Sequence, residues 1–254
     1  MSREEHRKGK IEIDIHDSLY TLADYPWRKI TEWFEYHLAV KWYVIQAMMD
    51  GKEAGFLHLV RHPEDPGVWY LCDVHTKPDC QKKGVATKMY EAALDLVKQY
   101  DKAYRVLASV HQENQASVAL HRKMGFQDTG EKSVFPELSF EPEETMYSFS
   151  FVFEWPAGNS TIHRELFRSM WEERQKEGGH FNSLEEFYQV LEEAEENKFL
   201  KVRLFWAGEK PVGYRVLKTM EDGETKKVLD QYFIPSWQAL LDDGALNILT
   251  PDNT

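Results

Sequence analysis

The hydrophobic period of this chain changes at Gly84, and that change limits the fold more than any other feature. Upstream, apolar residues come in short extended runs. Ile11, Ile13 and Ile15 alternate with polar residues, and Trp42–Met49 is an aromatic-rich run closed by the turn dipeptide Asp50-Gly51. Ala54–Val60 resumes as a second strand, and after the Pro63–Gly67 turn Val68–Thr76 reads as a third, ended by Pro78. Only Ile30–Leu38 interrupts with helix-like spacing. Downstream, Val85, Met89, Ala93, Leu96, Val97 and Tyr100 recur every three or four residues, which is one face of a helix. Tyr104–Val110 has strand length, Ser117–Met124 is helical and closes on Gly125, and Tyr147, Phe149, Phe151 and Phe153 alternate again. Meander, helix, strand, helix, strand predicts a mixed α/β domain.

Turn formers cluster from Pro156 to Thr161, so the expected division is a domain over 1–155 and a smaller α/β unit over 156–254. The second unit opens with two helical patterns, Ile162–Arg174 and Leu184–Ala194, the latter with Asn182-Ser183 at its N-cap. Strands follow, and they echo the first half. Phe205–Leu217 has the layout of Ala47–Leu59, and Val228–Pro235 that of Tyr70–Pro78. Either the unit is a degenerate internal repeat, or two hairpins merely share a layout.

Lys and Arg number 31 against 43 Asp and Glu, a net charge of −12, so no broad cationic face for a phosphate backbone is expected and nucleic acid is not an expected partner. No apolar run is long enough for a bilayer, and MSREEHRKGK leads into no apolar signal core; the expectation is a cytoplasmic protein without membrane attachment. Cys72, His75 and Cys80 offer only three ligands in a spacing unlike closed zinc motifs, so no metal is expected.

Chemistry is written where the period changes. Gln81-Lys82-Lys83-Gly84-Val85-Ala86-Thr87 joins a strand end to a helix start, where unpaired N–H groups and the positive dipole end can hold a diphosphate. Small residues at Gly84 and Ala86 let phosphate oxygens approach, and Lys82 and Lys83 add charge beside them. A second pattern, Asn114-Gln-Ala-Ser117-Val-Ala-Leu120-His121-Arg-Lys123-Met-Gly125-Phe126, opens the next helix.

Together the two patterns resemble those of the GNAT N-acetyltransferase superfamily, Q/R-x-x-G-x-G/A after the fourth strand and N-x-x-A/S-x-x-L-Y-x-K-x-G-F after the fifth, over about Lys41 to Trp155. The resemblance implies a splayed central sheet flanked by helices, with acetyl-coenzyme A in the gap between the fourth and fifth strands and its pyrophosphate on Gln81–Thr87. It also implies thioester contacts from Val74, His75 and Thr76 and a pantetheine contact from Asn114. The implied reaction is direct attack of an amine of a small molecule or peptide on the thioester in a ternary complex.

The chain departs from the pattern at His121, where the family usually has the tyrosine that protonates the thiolate. Two roles are open to His121: the same proton donation, or packing against the coenzyme arm. The general base is unassigned. Alternation puts Tyr70, Cys72, Val74 and Thr76 on one face of the fourth strand and Asp73 and His75 on the other. The resemblance implies a base at an even offset from Thr76, which disfavours Asp73 and His75; Glu35, His58 or water are alternatives. The second unit has no glycine-basic loop after Ile234-Pro235, so it is expected not to bind coenzyme A but to cover the acceptor groove, set specificity or pair with a second copy. The acidity would favour cationic acceptors such as polyamines, aminoglycosides or basic peptides, though solubility accounts for it as well. The rival function is a non-catalytic acyl-coenzyme A binding module, and transfer of another acyl group or to a hydroxyl also stays open.

Overall fold

In the computed structural model, which describes residues 10–22, 28–36, 38–100, 102–132, 143–156, 200–220 and 226–250 with short pieces between 168 and 193, the alternating segments form strands at the expected places. They are β1 (Ile11–His16), β2 (Trp42–Met49), β3 (Lys52–Arg61), β4 (Val68–Thr76) and β5 (Arg105–His111). A two-residue β6 (Gln127–Asp128) and the long β7 (Glu144–Pro156) follow. The helices are α1 (Arg28–Tyr36), α2 (Val85–Lys98) and α3 (Gln115–Lys123). The chain forms two compact units, Met1–Phe149 and Ser150–Thr254, so the division falls within β7.

In the first unit β1, β2, β3 and β4 pair antiparallel in chain order, β5 lies parallel to β4, and β7 neighbours β5 with β6 beside it. Trp42 to Ile45 and Ala54 to Val60 are all buried, so these strands are covered on both faces. Helix α2 packs on β1 to β4 and buries Val85, Met89, Tyr90, Ala93, Leu94 and Val97, of which each Val, Met or Leu stabilises by roughly 1.5–3 kcal/mol. Phe34 of α1 joins a cluster with Leu22, Val44, Phe56, Val60 and Tyr70. Gly125 at φ 87° ends α3 as its spacing predicts.

The second unit holds β8 (Leu200–Ala207), β9 (Lys210–Thr219) and β10 (Lys226–Phe233), an antiparallel meander, then α4 (Pro235–Asp242) and β11 (Leu246–Leu249). The last strand pairs parallel with Ser150–Phe153 and no sequence signal announced it. Ser183 Oγ accepts the Glu186 N–H at 3.1 Å and so caps the second helical pattern. The turn-former cluster after Pro156, Asn182 and much of the two helical patterns lie outside the described residues.

The sequence echo has a counterpart in the pairing. Gly55 faces Ala47 and Thr76, and Gly213 faces Phe205 and Phe233. The register shifts after Ala47 and after Phe205, the same place in each hairpin. Lys77 N–H donates to Ala54 O at 2.9 Å before Pro78, and Ile234 N–H to Val212 O at 2.9 Å before Pro235. Beyond that proline the two diverge: α4 begins at once, whereas the first unit makes a loop before α2.

Candidate active site

Strands β4 and β5 pair only over Val68–Leu71 and Arg105–Ala108, and then part. The parting coincides with a bulge in β4. Phe56 faces His75 while His58 faces Cys72, so Asp73 and Val74 together oppose Leu57 alone, and Asp73 takes the left-handed φ of 52°. A bulge of this kind bends the strand and moves its side chains off alternation. Gly55 permits it, since a Cβ there would lie 2.4 Å from the His75 carbonyl oxygen.

One cavity, of about 400 Å³, lies along the parted ends. It is lined by Val74 and Thr76 of β4, by Gln81, Lys82, Gly84, Val85, Ala86 and Thr87 at the start of α2, by Tyr90, by Asn114 just before α3, and by Ser117 and Leu120 of α3. The loop contains two left-handed residues, Lys82 at φ 60° and Gly84 at 92°, and turns of this kind make concavities of converging N–H groups. Helix α2 has no side-chain cap, and its first main-chain hydrogen bond is Lys88 N–H to Gly84 O at 3.0 Å. The amides of Lys82 through Thr87 therefore donate to no other described residue. Lys82 and Lys83 make no ion pair with a described residue, whereas Lys77 is held by Glu53 at 3.2 Å and Lys88 by Glu91 at 2.6 Å. Asn114 Oδ1 accepts the Ser117 N–H at 3.1 Å, so this lining residue is also the N-cap of α3. Lys123 Nζ reaches Thr87 Oγ1 at 3.4 Å.

Of the residues expected from sequence, Val74, Thr76, Gln81, Lys82, Gly84, Val85, Ala86, Thr87 and Asn114 come together around this cavity. Three do not. Lys83 lies outside the lining, and His75 stacks on Phe56 with ring centroids 5.4 Å apart. His121 is 2% exposed and packs among Tyr90, Phe126 and Tyr147. Its Nδ1 lies 2.8 Å from the Ser117 carbonyl, which can only accept, so Nδ1 carries the proton. Nε2 is then an acceptor for the Tyr90 hydroxyl at 2.9 Å. Burial pushes the His121 pKa below its ordinary value, partly offset by the Ser117 carbonyl. His121, for which proton donation and packing are both open from the sequence, is thus a buried, neutral imidazole, and Tyr90 is the member of the pair that lines the cavity.

The bulge corrects a second expectation. Cys72 and Asp73 do not point to opposite sides but line one further cavity, of about 510 Å³, whose walls include Trp33 and Phe34 of α1, Tyr70 of β4 and Glu144 of β7. Asp73 Oδ2 stands 3.3 Å from Nδ1 of His58, which is fully buried, and Nε2 of His58 is 3.3 Å from Thr31 Oγ1. Burial, then the Asp73 charge, pushes the Cys72 thiol well above its ordinary pKa. Glu35 accepts from Trp42 Nε1 at 3.2 Å and does not line this cavity.

Comparison with known proteins follows the same stretch of chain. Residues 11–126 match the model of the Acetyltransferase (GNAT) family. Among curated proteins no match is found. Solved structures similar to this chain include an acetyltransferase from Streptococcus agalactiae, 15% identical over 54% of this chain and 96% of that one, with a TM-score of 0.41. A Bacillus subtilis acetyltransferase in complex with CoA is 19% identical over 56% of this chain and 99% of that one, with a TM-score of 0.39. An IAA acetyltransferase from Bacillus cereus is 16% identical over 56% and 99%, with a TM-score of 0.41. Among the described residues no helix is long and apolar enough to cross a membrane.

Proposed function

We propose that the first unit, whose residues 11–126 match the GNAT acetyltransferase family, is an acetyl-coenzyme A-dependent acetyltransferase domain that carries the acetyl group to a primary amine of a small molecule or peptide by direct attack in a ternary complex. The observation that carries this reading is the row of unpartnered amides from Lys82 to Thr87 along the cavity between the parted strands. Acetyl-coenzyme A bound there supplies an acetyl group activated as a thioester. The Lys82–Thr87 amides hold its diphosphate, with Lys82 adding charge, and Val74, Thr76 and Asn114 flank the pantetheine arm. A main-chain N–H of β4 beside the bulge steadies the carbonyl oxygen as it gains charge. The amine nitrogen bonds to the carbonyl carbon as the C–S bond breaks; the nitrogen loses a proton to a base and the sulfur gains one.

His121 does not deliver the proton to sulfur in this reading. A neutral ring whose only N–H is held by the Ser117 carbonyl has no proton to give toward the cavity, and a thiolate is a good enough leaving group to take one from water. The second unit is read as a degenerate copy of the strand meander that lost the phosphate loop, supported by the matched registers at Gly55 and Gly213.

Thiol release from acetyl-coenzyme A with a panel of amines, with the product identified by mass, tests the proposal. Amine-dependent release with stoichiometric N-acetyl product is the expected result. Tight coenzyme A binding with no release for any amine would instead identify a binding module whose proton chemistry has decayed, which the change to His121 would fit.

A further inference from the structure

The second cavity differs in character from the first. Trp33, Phe34, Tyr70 and Ile30 give it an aromatic and aliphatic wall, and Asp73 and Glu144 set two carboxylates into that wall. Its volume of about 510 Å³ is in the ordinary range for a small-molecule site, which is mostly apolar with a few placed polar groups. Ser109 Oγ donates to Glu144 Oε2 at 3.0 Å and orients that carboxylate, and His58 Nδ1 lies 3.3 Å from Asp73 Oδ2. The two linings follow one another along β4, one including Asp73 and the other Val74.

Resting on the acetyltransferase reading, we infer that this cavity is the acceptor site and that it takes a monoamine on a flat apolar body, its ammonium held by Asp73 and Glu144, rather than a polyamine, an aminoglycoside or a lysine side chain. Two carboxylates that meet one cavity suit one ammonium, which gains charge-assisted hydrogen bonds from both. An aromatic face suits the carbon body and adds cation–π attraction near Trp33. A second positive charge on the ligand would meet Lys29, the cation that also lines this cavity, and would leave its own hydration for an apolar wall. The bulge at Asp73 is what makes the arrangement: it turns that carboxylate into the same cavity as Cys72, at the point where β4 passes to the coenzyme side.

The test is equilibrium binding to the full chain in the presence of coenzyme A, with 2-phenylethylamine, 2-phenylethanol and spermidine as probes and calorimetry as the readout. The amine is expected to bind at least tenfold tighter than either of the others. Asp73→Asn and Glu144→Gln, checked for unaltered thermal unfolding, should each weaken the amine by about tenfold to a hundredfold and leave 2-phenylethanol unchanged, the loss expected for one charged hydrogen bond. Spermidine binding as well as the amine, the alcohol matching it, or no amine binding would overturn the inference. Binding is read without turnover, so an amine that binds but is never acetylated would sink the acetyltransferase reading and not the ligand class, and the reverse holds if spermidine is the better substrate.

Discussion

Replacing Gly84 by alanine separates what the loop does for the fold from what it does for the coenzyme. At φ 92° an L-residue is strained by about 1–2 kcal/mol. A Cβ at this position would meet nothing within 4 Å, so no clash adds to that strain in the free protein. Thermal unfolding should therefore move by only a few degrees, at about 2–4 °C per kcal/mol for a chain of this size. The methyl would stand in open space at a residue that lines the cavity, where it would compete with a phosphate oxygen for the approach to the Lys82–Thr87 amides if they hold one. Loss of one charge-assisted hydrogen bond to a phosphate is worth about 1.5–3 kcal/mol, or about tenfold to a hundredfold in Kd. Calorimetric titration of the Gly84→Ala protein with coenzyme A should show that loss, and titration with pantetheine, which has no diphosphate, should not. A coenzyme A affinity within twofold of the parent, or an equal loss for pantetheine, would refute the reasoning that these amides bind the diphosphate.

Two further outcomes follow from the same geometry. The folded state binds a proton at His121 less readily than the unfolded chain, whose imidazole keeps its ordinary value of 6.5. Below that pH the unfolded state holds more protons, so the unfolding free energy should rise with pH up to about 6.5 and then level off, and urea titrations of His121→Gln should show a shallower rise. Gly55→Ala would press a Cβ to 2.4 Å from the His75 carbonyl oxygen and 3.2 Å from Met89 Cε, forcing β3 and β4 apart at the bulge. It should destabilise by about 1–3 kcal/mol in urea and weaken coenzyme A binding along with stability, because Val74 and Thr76 move with β4.

The strands, the α2 start and the left-handed Gly84 were legible because each depends on neighbours in the chain: a period of two or 3.6, a turn dipeptide, a residue without Cβ. Helix α2 shows the limit of that reading. Its apolar stripe was readable, but Leu94 takes the buried place expected for Leu96, and Tyr90 joins the buried face. The exact phase of a helix is set by what it packs on. Strand β11 was illegible for a like reason: Leu246–Leu249 is too short to show a period, and it exists through pairing with Ser150–Phe153, far away in sequence.

What the sequence determined by itself is the layout of the Gln81–Thr87 loop, because a loop of small and basic residues at a helix start needs only local conformation to expose its amides. Tertiary structure decided the rest of the site. The unequal pairing of β3 with β4 put Cys72 and Asp73 into one cavity, against the alternation that a lone strand would obey. Packing of Tyr90, Phe126 and Tyr147 around His121 lowers its pKa, since desolvation depends on residues from three separate segments. The aromatic cavity itself is assembled from α1, β4, β5 and β7, which no local rule brings together; only the long-range register of the sheet and the docking of α1 on it can.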